Sequence, residues 1–350
     1  MKFKVDYLYD RLRVCAVGRA YPPEFYSFIH DPTIRSVMER IAEETEEDYQ
    51  KLISLLKIFN VEVVRTVLPT DFLNSQLSKQ YFPAAMTPRD HCGMIGNQFF
   101  ISRTISKWNT LRGPDWPILP PKTDQEFNLL PDWVKQELND FNVTDAFGCY
   151  DFDHSGMRPI EDLVSKQGNE IIYDKKIDTA TILRLGQDLV VGTEPGQNFT
   201  DQQEKMEKLF PNHNIHIIDS QGHLDGCVCV LCPGLIVSRN DIELCKYFDD
   251  WKVIIADNED SKPTQNKSFT RYVENYFHNW LGDIEETIID INMLSIDKHN
   301  VISTNTSASP INKLIEKEGI NVHTVNFRHY QFWDGGIHCI TNDLHRTNGL

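Results

Sequence analysis

One cysteine near the C-terminal end, Cys339, follows a glycine pair in Trp333-Asp334-Gly335-Gly336-Ile337-His338-Cys339-Ile340-Thr341-Asn342-Asp343. The run reads as a short strand. Far upstream, His223 stands in Gly222-His223-Leu224-Asp225-Gly226. A thiol, a distant histidine and carboxylates form a set that attacks an electrophilic carbon through a covalent intermediate. Taken alone, a cysteine in an apolar strand is far more often a small buried hydrophobe. His338 is adjacent to it, and neighbouring side chains of a strand point to opposite faces, so the base is expected elsewhere. Read as a strand, His223-Leu224-Asp225 puts His223 and Asp225 on one face. A core histidine satisfied by its carboxylate is the competing structural reading. Asp188, in Leu185-Gly186-Gln187-Asp188-Leu189-Val190, and Asp90, in Thr87-Pro88-Arg89-Asp90-His91-Cys92-Gly93, each precede an apolar strand. Singly, each reads as a turn residue.

An order of strand, strand, helix, strand recurs along the chain and would position these residues. In the first copy, residues 12–18 read as a strand. Ile34, Val37, Met38, Ile41, Tyr49, Leu52, Ile53 and Leu56 then recur at helical spacing, and residues 61–67 form a β-branched strand. The second copy turns at Gly96-Asn97 and places a helix around residues 131–139, after a Pro/Trp-rich loop over 113–121. In the third, residues 182–193 precede a helix over 201–210 with Thr200 as its cap, and a strand over 215–218. The fourth is a hairpin over 226–238 broken at Pro233-Gly234, a helix over 241–248 and a strand over 252–256. In the fifth, a turn at Asp297-Lys298-His299-Asn300 precedes a Ser309-Pro310 helix start and a strand over 321–327. Residues 272–281 read as an inserted helix. A radial arrangement, closed by a last hairpin over 336–343, would aim Asp90, Asp188, His223 with Asp225, and Cys339 at one axis. Carboxylates around a thiol predict a cationic substrate, and they disfavour a thiolate until a bound cation offsets them.

The chain of 350 residues is 40% hydrophobic and 25% charged, enough for a large core, and the whole of 1–350 is expected to form one domain. A formal net charge of -16 argues against nucleic acid or an anionic membrane as partner. No apolar run approaches the roughly 18 residues of a membrane span, and the residues after Met1 lack an apolar signal region, so a cytoplasmic location is expected. The eight cysteines are expected to be reduced thiols. Cys227-Val228-Cys229-Val230-Leu231-Cys232 lacks a second ligand pair, so no metal is expected. Asp151-Phe152-Asp153-His154 reads as a polar turn.

The set Thr87-Pro88-Arg89-Asp90, Leu185-Gly186-Gln187-Asp188, His223-Leu224-Asp225, Pro233-Gly234-Leu235 and Gly335-Gly336-Ile337-His338-Cys339 resembles, in order and spacing, the motifs of arginine:glycine amidinotransferases. Tyr9-Asp10-Arg11-Leu12-Arg13-Val14-Cys15-Ala16-Val17-Gly18-Arg19 resembles their opening strand. The resemblance covers nearly the whole chain. It implies an α/β fold, the five-bladed α/β propeller of the guanidine-modifying (pentein) superfamily, built from ββαβ modules with pseudo-fivefold symmetry. It implies amidino transfer from a guanidino donor, arginine foremost, to a glycine-like amine through an amidino-Cys339 intermediate. His223 would act as acid and base, Asp188 would orient it, and Asp90 with Asp225 would grip the guanidinium. No cofactor is implied, the partners are small molecules, and a homodimer stays open. The family places an arginine after the Pro-Gly strand to hold the donor's carboxylate; here Arg239 sits earlier than that position. A serine pair that contacts the donor in the family aligns, without gaps, with Glu285-Glu286. Two alternatives stand beside transfer: a hydrolase of the same superfamily with water as acceptor, and a non-catalytic propeller that binds a guanidino compound.

Overall fold

The computed structural model describes residues 2–28, 32–68, 86–102, 104–106, 112–113, 116–117, 149–151, 154–174, 177–193, 198–220, 222–256, 291–304, 309–330 and 335–348. Its strands fall into five three-stranded sheets and two small two-stranded ones. The elements of the larger sheets, in chain order, begin with β1 (Arg11–Val17), α1 (Pro32–Ile58), β2 (Glu62–Arg65), α2 (Pro88–His91), β3 (Cys92–Ile95), β4 (Gln98–Ser102), α3 (Arg158–Lys166) and β5 (Glu170–Asp174). Next come β6 (Ile182–Leu185), β7 (Asp188–Gly192), α4 (Phe199–Leu209), β8 (Asn214–Ile218), β9 (Val228–Cys232), β10 (Leu235–Arg239) and β11 (Lys252–Ala256). The last are β12 (Leu294–Asp297), β13 (Asn300–Thr304), α5 (Pro310–Lys317), β14 (Asn321–Val325) and β15 (Thr341–Thr347).

Each sheet repeats one plan. Its middle strand is antiparallel to the first and parallel to the third, and the parallel step requires a long connection, which carries a helix except between β10 and β11. The sheet containing β1 departs in one respect, because its antiparallel neighbour is β15 from the far end of the chain, paired from Arg11↔Thr347 to Val17↔Thr341. The α/β order anticipated from periodicity is therefore present, with both ends of the described chain in one sheet.

The hairpins turn where glycine permits a left-handed backbone, as at Gly96 and Gly186. On α1, Tyr49, Leu52, Ile53 and Leu56 are buried in one cluster with Val17, Leu294 and Phe327, and Ile41 is buried as well. The side chains of Ile34, Val37 and Met38 lie outside the described ones.

Several element expectations are corrected. The cap of α4 is Asn198, whose side chain accepts from Thr200 N at 2.8 Å, so Thr200 lies inside the helix. In place of a helix over 241–248 there is only a 3-10 turn, Lys246–Phe248. The helix ahead of β5 is α3; the anticipated helices around 131–139 and 272–281 fall outside the described residues. The last hairpin is absent: residues 337–340 form a turn, and the strand begins at Thr341. Among the described residues no helix is long and apolar enough to cross a membrane.

Candidate active site

The candidate residues come from the turns that lead into the first strand of each sheet. Asp90 lies in α2, immediately before β3. Asp178 caps the 3-10 turn Thr179–Thr181 before β6, its Oδ1 accepting from Ala180 N at 2.8 Å. His223 and Asp225 belong to the turn Leu224–Gly226 before β9, Asn292 precedes β12, and Cys339 precedes β15. Hydrogen bonds and close charge contacts join these turns. Cys339 Sγ is 3.6 Å from Asp225 Oδ2 and 3.1 Å from Asn292 Nδ2. His223 Nε2 is 3.0 Å from Asp178 Oδ2, and its Nδ1 is 3.9 Å from Asp90 Oδ1.

The turn conformation changes what adjacent residues can do. A strand would have sent His338 and Cys339 to opposite faces. In the turn both reach Asp225 Oδ2, His338 through Nδ1 at 2.7 Å. Likewise His223 and Asp225 share a site through a 3-10 turn rather than strand alternation, with Leu224 fully buried between them. The carboxylate on His223 is Asp178, where Asp188 was expected. Asp188 begins β7 and accepts from His216 Nε2 at 2.8 Å and Asn214 Nδ2 at 3.1 Å. The other end of that strand, Gly192, is the part packed against Leu224. Four residues of strand put ~13 Å between the two ends, beyond the reach of an aspartate.

Arg239 does not present a free fork. Its Nε and Nη2 bind the two oxygens of Asp241 at 2.8 and 2.6 Å, and Nη1 lies 3.5 Å from Cys227 Sγ. Glu285-Glu286 lies outside the described residues, as do Phe152, Asp153 and the side chains of Asp151 and His154. Among the described residues, no group of three or more His, Cys, Asp or Glu is arranged to hold a metal.

Behind the nucleophile turn lies a buried ion cluster. Asp343 Oδ1 accepts from Arg89 Nη2 at 2.9 Å and Arg184 Nη2 at 2.8 Å, and Oδ2 from Arg346 Nε at 2.8 Å. Arg89 Nε also donates to His338 O at 2.8 Å and Thr341 O at 3.0 Å, tying α2 to the Cys339 turn.

Burial and these neighbours set the protonation states. Burial alone would lower the pKa of His223, but the charge and hydrogen bond of Asp178, with Asp90 and Asp225 behind them, hold it well above the ordinary histidine value. These neighbours favour its imidazolium form. Burial pushes Asp90 up to about 7, with Asp178 and Asp225 adding to the rise and His223 opposing it. Burial and the nearby Arg89 push His338 down to about 4, so it is neutral and donates Nδ1–H to Asp225. That donor, with His223 and Arg89, outweighs the burial of Asp225 and keeps its carboxyl below the usual range. Two buried carboxylate oxygens, Asp90 Oδ1 and Asp225 Oδ1, have no hydrogen-bond partner.

No protein-family model matches the chain. The chain is 26% identical over 282 residues to the mitochondrial glycine amidinotransferase of Danio rerio, a match covering 76% of this chain and 60% of that protein. It is 23% identical over 224 residues to the L-arginine:L-lysine amidinotransferase of Pseudomonas savastanoi pv. phaseolicola, covering 62% of this chain and 54% of that one. The matches thus span about 60% or less of these relatives' own length. In structure it matches SxtG, an amidinotransferase of Microseira wollei in a saxitoxin biosynthetic pathway, with a TM-score of 0.65, 18% identity and 99% of each chain covered. By sequence and by fold, the chain resembles the amidinotransferases.

Of the residues on which the amidinotransferase resemblance was read, the structure brings together Asp90, His223, Asp225 and Cys339. It leaves Asp188 and Arg239 with other partners. Sequence reasoning missed Asp178 and Asn292. The signal for both was positional: each stands a few residues before the first strand of a sheet, as Asp90, His223, Asp225 and Cys339 do.

Proposed function

We propose that this chain is an amidinotransferase that moves an amidino group from a guanidino donor, with arginine as the first candidate, to a glycine-like amine. The observation that carries the reading is the pair of buried oxygens without a hydrogen bond, Asp90 Oδ1 and Asp225 Oδ1, beside Cys339 and His223. A buried carboxylate oxygen without a donor is costly, and a guanidinium offers planar N–H donors and the opposite charge. Residues 1–350 would form one domain, a five-bladed α/β propeller in which β15 beside β1 closes the ring and the turns before the first strands face its axis.

The donor cation favours the Cys339 thiolate, whose proton leaves to solvent. Sγ forms a bond to the guanidinium carbon. The bond from that carbon to the donor's nitrogen breaks as His223, oriented by Asp178, gives its proton to the leaving amine. Cys339 then carries a cationic amidino group. The acceptor amine attacks that carbon, neutral His223 takes the proton from its nitrogen, and the thiolate departs. Charge and atoms balance across the two halves, and the order is ping-pong.

The test is to incubate the protein with arginine, alone and with glycine, following amino acids and intact mass, and to repeat it with Cys339→Ala. Ornithine and a guanidino product formed only with the amine, and lost in the variant, are expected. Citrulline without an amine would make the protein a hydrolase, and neither product nor adduct with any guanidino donor would overturn catalysis at Cys339.

A further inference from the structure

Each of the other turns gives the site a residue with a stated part to play, and the turn before β12 gives Asn292, which is fully buried. Its carboxamide is oriented without ambiguity. Oδ1 lies 2.9 Å from His338 N and 3.0 Å from Cys339 N, and both of those groups are donors, so that atom must be the oxygen. The other atom is therefore the NH2. It stands 3.1 Å from Cys339 Sγ and 3.3 Å from Asp225 O.

The same side chain accounts for the glycine pair that marks the motif. A Cβ on Gly336 would lie 2.7 Å from Asn292 Cβ and 2.8 Å from its Oδ1. One on Gly335 would lie 3.2 Å from Cys339 Cβ. The amide and the nucleophile turn are packed so closely that no side chain fits between them.

We propose that Asn292 positions the nucleophile: its oxygen clamps the two amides that shape the turn, and its NH2 donates to the sulfur and stabilises the thiolate. The proposal rests on the reading of Cys339 as the nucleophile. Asp225 lies beside this sulfur and Tyr49 of α1 interacts with it; His338, His223 and Arg89 face Asp225, and Asp90 and Asp178 face His223. The carboxylates among them oppose a thiolate. Asn292 is a neutral donor that touches the sulfur itself.

The measurement is the rate of iodoacetamide alkylation at Cys339 from pH 6 to 10, read on the Cys339 peptide by mass spectrometry. Asn292→Asp keeps an oxygen for both amides but turns a carboxylate oxygen toward the sulfur. Its alkylation midpoint is expected to rise by at least about one pH unit, a tenfold loss of thiolate at neutral pH, and its thermal midpoint to fall, because the buried carboxylate oxygen has no donor. A folded Asn292→Asp with the wild-type midpoint would overturn the proposal. A second readout needs no change at Asn292. The side-chain 15N resonance of Asn292 in the wild type should titrate with the alkylation midpoint and lose that titration in Cys339→Ala; a resonance that ignores the thiol also overturns it. Alkylation requires no turnover, so a shifted midpoint with no chemistry on any guanidino donor would sink the amidino reading and leave Asn292's role standing.

Discussion

Two groups of buried carboxylates stand close together in this molecule and are treated in opposite ways. Asp343 is fully buried and both its oxygens are taken by Arg89, Arg184 and Arg346, each at most 5% exposed. Those arginines hold its carboxyl well below the usual range against the effect of burial. On the other side of the nucleophile turn, Asp90 and Asp225 each keep an oxygen with no donor. The first arrangement is finished within the chain. The second is left open within the chain, and under the proposed function the donor's guanidinium completes it. Arg89 belongs to one and borders the other, so the frame that fixes the turn and the surface that binds meet in adjacent residues, Arg89 and Asp90.

Breaking the finished cluster should have the largest effect. Asp343→Asn leaves three buried guanidiniums with weakened acceptors, and the expected loss is about 3–5 kcal/mol of stability in denaturant unfolding. A change within 0.5 kcal/mol would mean that the arginines find other partners, and the contrast would fall.

The incomplete pair should behave in reverse. Asp90→Asn is expected to lower kcat/KM for the guanidino donor by about 100-fold or more, the cost of a charge-assisted hydrogen bond to the cation. Yet it should stabilise the empty protein. The folded pKa of Asp90, about 7, lies above its ordinary 3.8. The folded state therefore holds this proton longer than the unfolded one does, and stability is lost as pH rises from about 4 through 7. Removing the group should restore roughly 4 kcal/mol above pH 7 and nothing below pH 4. In the wild type, kcat/KM for the donor should rise with pH up to about 7, because the cation needs the ionised carboxylate. An unfolding series across pH that shows no such divergence would remove Asp90 from the incomplete class.

The smallest effect sharpens the assignment of the histidine's partner. Asp178→Asn should cost about 100-fold in kcat by withdrawing the carboxylate that holds His223 protonated and in place, whereas Asp188→Asn should change kcat less than about threefold. Equal losses would mean that the pairing of Asp188 with His216 is coupled to the site after all.

The sheets and the order of elements were legible because β-branched runs, Gly turns and helical spacing are local properties. Where prediction failed, a local signal was read with the wrong geometry. Asp188 starts the second strand of its hairpin, while the site is built from residues ahead of first strands. The turn that carries Cys339 was taken for strand because Ile337 and Ile340 are apolar, and that error hid the shared contact of His338 and Cys339 with Asp225. Asn292 carried no chemical advertisement: a carboxamide acquires its meaning from the two amides and the sulfur it faces, and these lie 46 and 47 residues away.

The pairing of β1 with β15 also bears on how the molecule comes to exist. It joins Arg11 to Thr347 and Val17 to Thr341, contacts between opposite ends of the described chain, and closing so long a loop is entropically expensive and slow. Cys339 stands at the entrance to that clasp. The contact between Cys339 and Asp225 itself joins residues 114 apart, and a chain nicked between them would keep it only while its pieces stayed together.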